Sequence, residues 1–186
     1  MKFKLLLLPI ALSCALSGTA FAMTKVEYTT QKDAISGDYK VSRDKCSNLK
    51  ANAKDICIIK AKGVERVAKA QLEAAYEPSA RHTEKVSTAK GDAAYATAKE
   101  KCDDRSGNAK AVCRADAVAL HVKAVEEARV ARVGTMAGTV EKNTRNSANK
   151  EENEANYKAA TARCDSAAGA LKDTCTADAK TKFGIK

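Results

Sequence analysis

The sequence predicts an all-α protein: three disulfide-stapled helical hairpins, six helices in all, forming an elongated or bundled array. Three observations predict it. Helix-forming Ala, Lys, Glu, Arg and Leu fill most segments, while aromatic residues make up only 4% and Trp is absent. Cysteines recur in three pairs of one spacing, C-x10-C. Helix-breaking residues fall between the pairs, at Glu77-Pro78-Ser79 and at Gly134-Thr135-Met136-Ala137-Gly138.

Residues 1–22 have the pattern of a cleaved secretory signal. Lys2 and Lys4 open it, Leu5 to Leu16 form an apolar stretch too short to span a bilayer, and Ala20-Phe21-Ala22 is a small-x-small cleavage site. Cys14 is not preceded by the Leu expected three residues before a lipoprotein cysteine, so cleavage after Ala22 is the better reading. Removing the signal lowers the net charge by two, from +10 to +8, and leaves six cysteines. An even set in an exported chain points to disulfides in an oxidising space, and the short basic signal to the bacterial periplasm.

The rest divides into hairpin repeats at 23–79, 80–136 and a degenerate 137–186. Cys46/Cys57, Cys102/Cys113 and Cys164/Cys175 anchor them. Tyr39, Tyr95 and Tyr157 stand seven residues before each first cysteine. Lys54, Lys110 and Lys172 stand three before each second one, and Ala61, Ala117 and Ala179 four after it. Agreement at five positions in three copies marks an internal repeat, Y-x6-C-x7-K-x2-C-x3-A.

Helices are expected over about 24–47, 53–76, 80–104, 109–133, 140–166 and 171–183. The first is read from the stripe Ile35, Tyr39, Ser42, Cys46; the second from Cys57, Ala61, Val64, Ala68, Leu72; the fourth from Cys113, Ala117, Leu120, Ala124, Ala128. The fifth, rich in Asn at 143, 146, 149, 153 and 156, is expected to be an exposed, fraying segment. The sixth is short, with Lys182 at the position of Val64 and Leu120.

The spacing itself forces the hairpin. In one unbroken helix the paired cysteines would lie about 16 Å apart along the axis. A disulfide needs Cα atoms within roughly 4.4–6.8 Å. Local pairing therefore requires chain reversal, which Ser106-Gly107-Asn108 and Gly169 can provide. The first unit offers only Ser47, Asn48 and Asn52. Pairing across units is the alternative; the repeated spacing favours the local bond. The small Ala61, Ala117 and Ala179 let the arms approach, and Tyr39, Tyr95 and Tyr157 supply one large packing plate per hairpin.

No catalytic or metal motif is present. There is no G-x-S-x-G, H-E-x-x-H, Gly-rich phosphate loop, C-x-x-C or zinc spacing, and the two His, His82 and His121, read as surface or half-buried residues. Asp103-Asp104, Glu126-Glu127 and Glu151-Glu152 diverge around their helices and read as solvated faces. Lys60, Lys62, Arg66 and Lys69 form the densest basic group, a candidate site for an anionic envelope component. Specific nucleic-acid binding is disfavoured for want of stacking aromatics.

The Tyr-x6-Cys pattern with Ser106-Gly107-Asn108-Ala109-Lys110 before the second cysteine resembles Ala/Lys-rich exported proteins of proteobacteria, often labelled TolA-like by composition. The anchor and folded terminal domain of TolA are not seen, so its function is not implied. Periplasmic helical stress chaperones such as Spy are similar in shape and compartment, without their L-T-x-x-Q motifs. The expected function is a non-enzymatic periplasmic scaffolding or interaction module with no cofactor. Its expected partners are an envelope protein or a second copy, reached through unfilled helix faces. The alternative is a stress chaperone for unfolded or anionic clients.

Overall fold

The computed structural model describes residues 23–134 and 138–186. The expected signal at 1–22 and the middle of the second break, residues 135–137, lie outside them. The described residues form six helices and no strand: α1 Lys25–Lys45, α2 Ala51–Tyr76, α3 Ala80–Lys101, α4 Gly107–Val133, α5 Thr139–Cys164 and α6 Ala170–Phe183.

Local chemistry sets the boundaries. Thr24 and Glu27 form a reciprocal capping box on α1: the Glu27 N–H donates to Thr24 Oγ1 at 3.2 Å and the Thr24 N–H to Glu27 Oε2 at 2.8 Å. Pro78 follows the end of α2, and Ser79 caps α3 by accepting from the His82 N–H at 3.1 Å. Disulfides join Cys46–Cys57, Cys102–Cys113 and Cys164–Cys175, with Cα–Cα distances of 5.7, 5.6 and 5.7 Å.

The three reversals are built alike. The carbonyl of each first cysteine accepts from the N–H three residues on: Leu49 at 3.0 Å, Arg105 at 3.0 Å and Ala167 at 2.9 Å. Five residues after that cysteine the backbone enters the left-handed region, at Ala51 (φ 47°), Gly107 (φ 52°) and Gly169 (φ 56°). Glycine takes this conformation freely; alanine pays about 1–2 kcal/mol in Cβ–carbonyl crowding. The first hairpin thus turns through Ser47 and Asn48, two of the polar residues that the sequence offered, and then passes through a strained alanine where the other two have glycine.

The helices run antiparallel, and every extensive contact joins helices consecutive in the chain. The seams between hairpins, α2–α3 and α4–α5, are as extensive as those within them. Such an array has no closed interior. Its buried apolar set is mostly alanine, with the first cysteine of each pair and the larger Leu72 and Val133. Backbones come close instead. A Cβ placed on Gly63 would meet Ala93 Cβ at 2.8 Å, and one on Gly91 would meet Ala124 Cβ at 3.0 Å.

One expectation is corrected here. α5 is a continuous helix docked on α4, not a fraying arm: Ala148, Ala155 and Ala159 are buried, and Ala155 and Ala159 cluster with Ala119. Methyl groups suffice because α4 brings Ala115, Ala119 and Val122 against them. Val64 and Leu120, which share a stripe with buried residues, are 70% and 68% exposed. α2 and α4 each touch two neighbours, and these side chains lie at the outer edge of one contact each, Val64 beside α3 and Leu120 likewise.

Candidate functional site

Each hairpin tip is a compact chemical unit. The first cysteine is fully or nearly fully buried, while its partner is half-buried. In the second hairpin Lys110 Nζ lies 2.9 Å from Asp103 Oδ1, and Arg114 donates to the same oxygen at 2.5 Å. The Lys110 hydrogen bond, ahead of the other contacts, holds the Asp103 carboxyl below its ordinary range. In the third, Lys172 lies 2.9 Å from Asp165, whose hydrogen bond raises the Lys172 ammonium. The first hairpin has Ser47 where these have Asp. The repeated lysine was visible in the sequence; its role as counter-ion to the residue after the first cysteine was not. Ala61, Ala117 and Ala179 are buried beside the tips, and Tyr39, Tyr95 and Tyr157 are half-buried.

A polar cluster ties the first two hairpins together. Asp92 on α3 places Oδ1 2.7 Å from His121 Nε2 on α4 and Oδ2 3.7 Å from Arg66 Nη1 on α2. The Tyr95 ring stacks on the imidazole, centroids 4.7 Å apart. The histidine is thus held between a carboxylate and a ring, and the cluster bridges three helices. Among the described residues no group of three or more His, Cys, Asp and Glu side chains could hold a metal ion.

The α4–α5 seam holds the buried carboxylate of Glu126, 4% exposed, against Arg129, which also lies 3.5 Å from Glu151. Burial raises the Glu126 carboxyl above its ordinary value; Arg129 opposes this, while Glu151 and Glu152 add to it. Arg163 crosses the same seam to Asp116 at 2.5 Å.

The four cations expected to act together are separated. Helix geometry sets Lys62, Arg66 and Lys69 on one side of α2 and Lys60 roughly opposite. Arg66 faces Asp92, and Lys69 Nζ lies 2.6 Å from Glu65. Lys60 instead joins an open groove of about 620 Å³ between α2 and α3, with Val64, Val67 and Ala68 on one wall and Ala94 and Ala98 on the other. Lys90 and Lys101 complete its rim, and no acidic residue lines it among the described residues. Ala94 and Ala98 also line a smaller concavity between α3 and α4 that reaches Leu120. The exposed Val64 and Leu120, equivalent in the repeat, are thereby linked by a path of alanines. The sequence showed these two side chains only as members of helical stripes; the structure places them on this surface.

Comparisons with protein-family models, curated proteins and solved structures gave no match. Among the described residues no helix is long and apolar enough to cross a membrane. The three disulfides are compatible with an extracellular or periplasmic location.

Proposed function

We propose that this chain is a non-enzymatic interaction module of the bacterial periplasm, in which stapled hairpins hold helix faces in fixed register for an envelope partner. The observation that carries the reading is the outward exposure of Val64 and Leu120, seven residues after the second cysteine of their units and joined by an alanine-lined surface. Isolated exposed apolar residues are ordinary; two at one repeat position, connected through a groove, form a surface suited to binding. The oxidised, cysteine-anchored tips support the assignment to an oxidising compartment.

The test is capture from native envelope fractions with the oxidised protein and its Val64→Glu/Leu120→Glu variant. A stoichiometric complex formed by the first and lost by the second is the expected result. Equal recovery with both would overturn the reading. The lysine rim of the groove favours a second reading, a chaperone for anionic or unfolded clients. That reading requires substoichiometric binding of many clients, weakened strongly by salt.

A further inference from the structure

We infer that the α2–α3 groove docks an acidic amphipathic helix, which completes a three-helix coiled coil with α2 and α3. This rests on the interaction-module reading and specifies the chemistry of the partner. The two walls carry matching lines of residues. Within the lining, Lys60, Val64, Val67 and Gln71 on α2 and Lys90, Ala94, Thr97 and Lys101 on α3 form these lines, with Gly63, Ala68, Ala93 and Ala98 between their members. Both lines step by four, three and four residues. That alternation keeps a stripe in one direction on a helix and is the seam spacing of coiled coils.

The stripes cover three turns each, about 16 Å. They run antiparallel in a register fixed by the close approach of Gly63 to Ala93 and by Arg66 opposite Asp92. Two helices in contact whose seam stripes also face outward supply two sides of a three-helix core. The third side is open, and the walls that face it are short.

Valine, alanine and threonine leave holes on such a surface, and a third helix with larger knobs such as leucine fills them. Helix-in-groove recognition reads anchors at this i, i+3, i+4, i+7 spacing. Charge selects the partner. Lys60, Lys90 and Lys101 are exposed, none is ion-paired among the described residues, and no carboxylate lines the groove. By contrast Arg66 and Lys69, on the other side of α2, already face acidic residues. The long side chains of the lysines that end these stripes reach Glu or Asp beside the seam of the incoming helix and repel basic ones. A lipid surface would match the charge but would not require heptad spacing on two antiparallel helices.

The test uses the disulfide-intact protein and a fluorescein-labelled three-heptad peptide with Leu at its seam positions and Glu at the flanking ones. A peptide with Lys in place of Glu is the control, and vesicles of phosphatidylglycerol test the lipid alternative. Fluorescence anisotropy should give saturable binding of the Leu/Glu peptide, at least about tenfold tighter than the Leu/Lys peptide. The Lys60→Glu/Lys90→Glu/Lys101→Glu variant should invert that preference while keeping its helical circular dichroism; because all three lysines are exposed, its fold is expected to survive. Equal affinity for the two peptides, an unchanged preference in the variant, vesicle binding without peptide binding, or a self-associated protein that excludes the peptide would each overturn the inference. If envelope capture stays sensitive to Val64→Glu/Leu120→Glu while the peptide fails, the interaction module stands and only the acidic-helix partner falls.

Discussion

The hairpin tips and the seams between hairpins hold the same helices together by opposite means. The tips are copies: one disulfide geometry, one turn bond from the first cysteine, and one left-handed residue five positions on. The seams are individual. α2 meets α3 through Gly63 against Ala93, whereas α4 meets α5 through alanines, the buried Glu126 and the Arg163–Asp116 pair. Repetition therefore fixes each hairpin, and unrepeated residues fix which hairpin lies against which. A covalent tip tolerates poor local chemistry, as at Ala51; a seam of small residues tolerates almost no added volume.

Breaking a staple should have the largest effect. Cys102→Ser/Cys113→Ser should lower stability by about 3 kcal/mol, the chain-entropy value for a loop of this length, read from denaturant unfolding of the oxidised protein. An unchanged midpoint would show that the tip is held without its disulfide. Crowding a seam comes next. Gly63→Val should destabilise by about 1–3 kcal/mol, because the new Cβ falls 2.8 Å from Ala93 Cβ and the neighbour is another helix. Gly37→Ala on α1, where nothing lies within 4 Å, should instead be neutral or slightly stabilising, by up to about 1 kcal/mol. Equal behaviour of the two would remove the steric account of the α2–α3 seam.

The tips can be exchanged more gently. Ala51→Gly should stabilise the first hairpin by about 1 kcal/mol, and Gly107→Ala should destabilise the second by a similar amount, both visible in thermal melts. A shift of the same sign in both would contradict the common turn geometry. The smallest effect belongs to the charged seam and depends on pH. Because the folded state raises the Glu126 carboxyl, its favourable contribution is complete below the ordinary glutamate range and is lost as pH rises through the raised value. The stability of wild type relative to Glu126→Gln should therefore fall from about pH 4 towards neutrality. A difference independent of pH would mean that Glu126 ionises as an exposed glutamate does.

The tips were legible in the sequence because the constraint there is covalent: sulfur atoms eleven residues apart cannot meet unless the chain reverses. Helix number and order followed from the Pro and Gly punctuation. The seams were not legible, because alanine and glycine carry little hydropathy signal and pack through closeness of backbones. The Asn-rich α5 hides Ala148, Ala155 and Ala159 among polar residues, so its docked face resembled a solvated one. The groove was half visible. Lys60 stood out, but in a group that the helix splits, and Val64 stood in a stripe whose partner helix the sequence did not specify. Ala51 gave no signal at all, since only coordinates reveal an alanine with positive φ.

The chain-neighbour contact order carries a consequence for biogenesis. A segment emerging from a ribosome or a translocation pore need never wait for a distant partner: each helix finds its first support in the one just released. Low separation between contacting residues favours rapid, vectorial folding. Each new bend brings its two thiols together within a dozen residues, so oxidation can lock the hairpins one after another while the remainder of the polypeptide is still unfolded.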